Sequence, residues 1–301
     1  MKIKGIVFTV ISATLFDCMP AIVQQAYSYG ATPETVTFFR NFFAVPVVLF
    51  IMLLKKISFH GERKQLFSIA LISLFGITTG TLTLISSYAY IGTSMATTLH
   101  FVYPVFVALI CFIFFKEKLS KQKTIALMAA IVGIFFFFQK GEQSSTALLG
   151  ILLSVISGVA YAFYMVGLDK FHLRTLHPMT LTFYISLFSA CGVLVFGTLK
   201  QSIVFALPME AYFFMLCNSI FISFCAVALL QIGVRYLNAT TAAMFSLFEP
   251  ITSNVIGVVF MGESISLAKI IGSVIILASA GAMAFLENAS AKKESQDTPL
   301  T

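Results

Sequence analysis

The hydrophobic residues fall into ten long runs divided by short polar breaks, and that punctuation limits the fold more than any other property of the sequence. The runs occupy 5–28, 35–54, 66–89, 94–115, 124–139, 148–168, 179–199, 212–234, 240–261 and 270–286. Most have the roughly 17–25 residues an α-helix needs to cross about 30 Å of hydrocarbon. Helix is the only local structure open to them, because backbone facing lipid must satisfy its own hydrogen bonds. The alternating pattern of a membrane β-barrel, with segments of about ten residues, is absent. Composition agrees: 59% of residues are hydrophobic and 10% charged, against about 45–50% and about 25% in soluble domains. Of 19 basic and 12 acidic residues, only Asp17, Arg40 and Glu249 lie inside the ten runs. The expected fold is therefore an all-α integral membrane protein with ten transmembrane helices. The five cysteines sit in apolar stretches without a CxxC pair, which excludes a disulfide scaffold.

The start Met1-Lys2-Ile3-Lys4 is basic, as in a signal peptide. The run behind it is too long, contains Asp17 and lacks a small-x-small cleavage site, so a retained helix is expected. Orientation follows the basic residues. With the N-terminus inside, the cytoplasmic side holds Lys2, Lys4, Lys55, Lys56, Arg63, Lys64, Lys116, Lys118, Lys121, Lys123, Lys170, Arg174, Arg235, Lys292 and Lys293. The other side holds Lys140, Lys200 and Lys269, a ratio of 15 to 3. The expectation is a multi-pass protein of the plasma membrane with both termini cytoplasmic. The net charge of +7 is then a signal of orientation and lipid head-group contact, not a nucleic-acid surface. Residues 287–301, ENASAKKESQDTPLT, read as a disordered cytoplasmic tail.

The chain repeats itself at an offset of 145–146. Tyr90-Ile-Gly-Thr-Ser-Met-Ala-Thr-Thr matches Tyr236-Leu-Asn-Ala-Thr-Thr-Ala-Ala-Met; Pro104 and Pro250 follow fourteen residues later, and Glu117 and Glu263 thirteen after those. Gly5 matches Gly150, Pro33 matches Pro178 and Thr35 matches Thr180. Each unit holds five spans, an odd number, so the second must enter the membrane from the opposite side. The loops agree: KEKLSKQK after span four has four lysines, whereas GESISLAK after span nine keeps the glutamate and one lysine. Inverted repeats of this kind are an architecture of secondary transporters. The expected units are a five-helix repeat over 1–141 and an inverted one over 142–286, followed by the tail.

On these residues the chain resembles the EamA-type, ten-helix members of the drug/metabolite transporter superfamily. The pieces that carry the resemblance are the two units (Y)P…FKEKLS and (E)P…MGESIS together with Arg40 early in span two. The resemblance implies a substrate path between the halves, operated by alternating access. It does not imply a particular solute.

No HExxH, GxSxG, Walker A or GxGxxG motif occurs, and no cofactor or metal site is expected. His60, His172 and His177 fall in cytoplasmic loops, and Gly76-Ile-Thr-Thr-Gly80 reads as close helix packing. The sequons at Asn238 and Asn288 face the cytoplasm and are not expected to carry glycan. Intramembrane charge is different, because it costs several kcal/mol unless it faces a cavity or a partner. Asp17 lies near mid-span and Glu249 about 13–15 Å deep. Arg40 and His100 lie about 8–9 Å from the outer ends of spans two and four. Each has a structural alternative; for Arg40 it is bonding to carbonyls or to Glu34. Glu249 precedes Pro250 as Tyr103 precedes Pro104, and helices broken at matching positions mark a midplane site. The cavity is therefore expected between spans four and nine, walled by spans one, three, six and eight. Tyr88, Tyr103, Tyr161, Asn218, Gln231 and Ser246 are further candidates. Glu117 and Glu263 read as loop-capping residues.

The function expected is secondary transport of a small organic solute, amino-acid-like or drug-like, with protons as a candidate coupling ion. The alternative is a membrane-embedded enzyme or flippase acting on a lipid or isoprenoid head group; that would need acidic or histidine residues clustered at one leaflet. The expected partners are the solute and membrane lipid, with monomer and homodimer both open.

Overall fold

The computed structural model describes residues 2–117, 120–136, 147–249, 252, 267–268, 270–279 and 281–282. Pro250, Glu263 and the tail 287–301 lie outside the described residues. Among the described residues there is helix and no strand.

Helix α1 (Lys2–Phe16) and α2 (Met19–Ser28) form one rod broken at Asp17–Cys18. Pro20 sits in the first turn of α2, where a missing N–H is harmless although it would break a helix interior. Helix α3 (Pro33–Leu54) begins at Thr32, whose side chain accepts from Thr35 N at 3.1 Å. Helix α4 (Arg63–Leu71) runs through a π-helical segment, Ile72–Thr78, into α5 (Thr79–His100). Gly92, at φ 74°, interrupts α5. After α6 (Tyr103–Phe115) and α7 (Lys121–Phe135), the second half starts with α8 (Ala147–Lys170) and α9 (Pro178–Leu199). Then α10 (Met209–Asn218), a second π-helical segment (Ser219–Ala226), α11 (Val227–Tyr236) and α12 (Ala239–Ser246) follow.

Among the described residues, seven helical segments are long and apolar enough to cross a membrane: Lys2–Ser28, Pro33–Leu54, Arg63–Thr93, Met95–Phe115, Ala147–Lys170, Pro178–Leu199 and Met209–Tyr236. They coincide with seven of the ten expected spans. The fifth, ninth and tenth are represented among the described residues by α7, α12 and the short apolar helix Ile270–Ser279. The outer surface is apolar, with Leu199 82% and Phe114 74% exposed. That is the inside-out surface expected where lipid replaces water.

The repeat is visible as reciprocal packing. Helix α1 packs on α11, α8 packs on α5, and the matching helices α3 and α9 pack on each other. At Gly5 a Cβ would come within 2.7 Å of Tyr236 Cβ and 2.9 Å of Leu237 Cγ. At its match, Gly150, a Cβ would come within 2.7 Å of Tyr90 Cβ and 2.8 Å of Ile91 Cγ2. Tyr90-Ile91 and Tyr236-Leu237 are themselves a matched pair, so each half gives the other the same contact. The π-helical segments occupy overlapping positions in the repeat. So do the ends of α5 and α12, where Phe101 (φ −64°, ψ −1°) and Leu247 (φ −66°, ψ 3°) stop the helix in the same conformation. The offset is 145 through Lys56 and Gln201, which share positive φ angles of 51° and 53°. It is 146 from Glu62 and Pro208 onward, the N-caps of α4 and α10. The extra residue lies in the loop between α9 and α10.

Candidate functional site

Three helix breaks meet at the middle of the molecule. After Phe16 the chain turns at Asp17–Cys18, after His100 at Phe101–Val102 and after Ser246 at Leu247–Phe248. The turns close with short-range bonds, Cys18 N to Leu15 O at 3.1 Å, Val102 N to Leu99 O at 3.3 Å and Phe248 N to Phe245 O at 3.3 Å. Beside them lies a partly open cavity of about 50 Å³. Asp17 with Phe16, Met19 and Pro20 forms its wall from the first rod. Arg40 comes from α3 and Tyr161 from α8, with Glu249 just past the end of α12. The remaining lining is Ile77, Gly80, Thr81, Leu84, Tyr88, Thr97, His100 and Phe101.

Six of the ten residues singled out from the sequence therefore share one cavity: Asp17, Arg40, Tyr88, His100, Tyr161 and Glu249. Tyr103 stands immediately behind it, its ring 4.8 Å from Tyr161 and 5.5 Å from His100. Asn218, Gln231 and Ser246 are buried but are not among the lining residues. Ser246 bonds back to the Ala242 carbonyl at 3.1 Å, and Gln231 accepts from Thr182 at 3.4 Å. Span eight thus contributes no lining residue, while span two does, through Arg40.

Arg40 is 2% exposed. Its Nε donates to Ser223 Oγ at 2.9 Å and a terminal nitrogen to Met19 Sδ at 3.2 Å. Glu34, considered as its partner, instead accepts from Lys200 Nζ at 2.7 Å. Ser223 lies in the π-helical segment of the second half, so Arg40 ties the two halves together beside the cavity. His100 is 8% and Glu249 7% exposed, and His100 Nδ1 lies 2.8 Å from Ser157 Oγ. The site combines two carboxyl groups, one guanidinium and one imidazole with Phe and Tyr rings. It sets aromatic and apolar surface beside groups able to meet a polar or charged partner.

A second charged cluster was not anticipated. Glu117 pairs with Lys170, Lys170 with Asp169 at 3.2 Å, and Asp169 with Arg174. Arg174 also donates to the Leu237 carbonyl at 3.3 Å, and Asp169 accepts from Ala239 N at 3.3 Å. The cluster joins the ends of α6, α8, α11 and α12. Its signal in the sequence was the Asp169-Lys170 pair directly after span six. Outside the membrane, His177 caps α9 by accepting from Met179 N at 3.2 Å. Burial, then Arg235 and Lys55, hold its pKa below the usual imidazole value. Among the described residues no group of three His, Cys, Asp or Glu could hold a metal ion.

Relatives agree with this architecture. An uncharacterized transporter of Bacillus subtilis (strain 168), YcbK, is 23% identical over 281 residues, 89% of this chain and 88% of its own. Another uncharacterized transporter, from Archaeoglobus fulgidus, is 23% identical over 89% of this chain and 92% of its own. Mouse solute carrier family 35 member G1 is 29% identical over 132 residues, 43% of this chain and 34% of its own. A solved crystal structure described without a function superposes with a TM-score of 0.77 at 14% identity, over 94% of this chain and 96% of that one; it supports the fold. These names point to transport, not to catalysis. The EamA-like transporter family matches twice, over residues 3–139 and over 148–285, a duplication that fits an inverted repeat. The chain belongs to the EamA-like transporter family.

Proposed function

We propose that this chain is a secondary transporter that carries a small amino-acid-like or drug-like organic solute by alternating access. In this reading ten crossings form two inverted five-helix units over 1–141 and 142–286, in the plasma membrane with both termini cytoplasmic. The single observation that carries it is the convergence of Asp17, Arg40, His100 and Glu249 on one aromatic-walled cavity. Charges placed in a membrane interior persist where they serve a path or a relay. Glu249 is the proton-coupling group or the counter-charge for a cationic group on the solute, with Asp17 as its partner across the cavity. Arg40 supports this by holding the second half's π-helical segment against the site.

The test is uptake by proteoliposomes, with a panel of amino acids, nucleosides and sugars, with and without an imposed proton gradient. If Glu249 couples protons, Glu249→Gln keeps solute exchange and loses pH-driven accumulation. If it is a counter-charge, solute binding itself weakens. Unchanged pH-driven accumulation by Glu249→Gln removes both roles from this residue. Failure of every solute to enter faster than into protein-free liposomes removes the transport reading.

A further inference from the structure

The two halves make one particular hydrogen bond twice. Ser12 Oγ on α1 donates to the Ala226 carbonyl at 2.7 Å, and Ser157 Oγ on α8 donates to the Gly80 carbonyl at 2.7 Å. The serines are matched in the repeat and so are the carbonyls. Each bond pins the first helix of one half to the end of the π-helical segment, or just past it, in the other half.

The copies then differ. Ser157 Oγ also meets His100 Nδ1 at 2.8 Å. The position matching His100 is Ser246, whose hydroxyl donates to the Ala242 carbonyl of its own helix at 3.1 Å and lies beside Tyr103. The Ser12 bond therefore does the architectural work without a histidine. His100 is an addition to the frame, not a requirement of it.

Proton counting fixes the histidine's orientation. A hydroxyl has one hydrogen, and a carbonyl oxygen can only accept. The Ser157 hydrogen points at Gly80, so the Ser157 oxygen accepts from His100 and Nδ1 carries the ring N–H. A neutral imidazole has one N–H and one lone pair, and which nitrogen holds which is set by the bond the other makes. The lone pair then belongs to Nε2. Among the described residues no hydrogen bond reaches Nε2, and His100 lines the cavity. Tyr103 and Tyr161 meet the imidazole through ring contacts, at 5.5 and 5.3 Å between centroids. The charged groups on the same cavity are Asp17, Arg40 and Glu249.

We propose that His100 accepts a hydrogen bond through Nε2 from an N–H or O–H donor on the solute, and that Ser157 is the positioning residue that holds it in that tautomer. This rests on the solute-binding reading of the cavity. It adds a selection rule: of two solutes matched in charge and shape, the cavity favours the one that carries a hydrogen to donate.

The test uses the full chain in lipid nanodiscs with 15N-labelled histidine. The His100 signals, one set among four histidines, are assigned by their loss in His100→Phe. The expected spectrum shows Nδ1 protonated and Nε2 bare. In Ser157→Ala the opposite tautomer appears. In Ser12→Ala, which removes the matching frame bond, thermal stability falls by a similar amount but the His100 signals stay as in the parent. The ligand arm uses benzylammonium and benzyltrimethylammonium, alike in charge and ring but with N–H groups on the first alone. Benzylammonium should shift the Nε2 signal and bind about tenfold more tightly, and that preference should vanish in His100→Phe. A parent spectrum with hydrogen on Nε2, or an unchanged tautomer in Ser157→Ala, overturns the positioning role. Equal binding of the two cations overturns the donor rule while leaving the cavity a binding site. Binding of neither overturns the donor rule as well, and whether the transport reading falls with it is decided separately by the liposome uptake panel.

Discussion

A guanidinium buried in a membrane interior must place its N–H groups somewhere, and among the described residues Arg40 does so on a hydroxyl and a thioether, not a carboxylate. Ser223 and Met19 take two of its donors, so its anchor is a hydroxyl from the other half. Removing that hydroxyl leaves a buried charged donor short of a partner, which costs about 1–3 kcal/mol. Ser223→Ala should therefore lower thermal stability in detergent by that amount. Arg40→Lys should not restore it, because an ammonium presents donors as a point and not as a fork. The same physics made Arg40, Asp17, Glu249 and His100 legible in the sequence. Lipid makes charge expensive, so each ionisable residue in an apolar run stands out and implies a polar surrounding. Neutral polar residues send no such signal. Asn218, Gln231 and Ser246 looked equivalent to Tyr88 and Tyr161, yet Ser246 satisfies its own helix and Gln231 a neighbouring threonine. Nothing along the chain marks which buried polar group faces a void.

Among elements, the helix breaks were partly written in the sequence and the π-helical segments were not. Pro20 and Pro104 each stand in the first turn after a break, and proline's missing donor is a signature that can be read directly. The π-helical segments Ile72–Thr78 and Ser219–Ala226 contain no proline. They differ from ordinary helix in closing their hydrogen bonds over five residues and not four, which residue types do not reveal. Close approach between elements is tested at the matched glycines. A methyl at Gly5 or Gly150 would lie 2.7 Å from a tyrosine Cβ, and overpacking of this kind costs about 1–3 kcal/mol. Gly5→Ala and Gly150→Ala should each lower the melting temperature, and by similar amounts. Gly281→Ala, which meets nothing within 4 Å, should not lower it. A large difference between the two matched variants would show that the reciprocal contacts are not equivalent in energy.

At the scale of the whole molecule, the sequence makes a prediction about orientation as well as architecture. The 15-to-3 division of basic residues predicts that a cysteine placed at Ser144 reacts with an impermeant thiol reagent added to intact cells. One placed at Ser295 should react only after the membrane is opened. The reverse pattern would invert the topology. What the sequence could not supply was the way the halves interlock. The offset of 145–146 shows that a unit was copied, but not that α1 of one copy lies on α11 of the other. That pairing emerges only when two apolar bodies of the same shape are packed together.

The one-residue difference between the copies is also tolerated for a physical reason. A π turn is what an α-helix becomes when one residue is added while both flanks keep their phase, since each added residue would otherwise swing everything beyond it by about 100°. Both halves hold such a turn at overlapping positions, the pattern that copying a half already containing it would leave. The α9–α10 loop is one residue longer than the matching α3–α4 loop, a difference confined to one pair of loops. The difference falls where the chain has no helical phase to lose, and the bonds from Ser12 and Ser157 still land on matched carbonyls. A loop can absorb a one-residue change that a helix could not without rotating everything beyond it, and so the two halves keep their matched contacts despite differing in length.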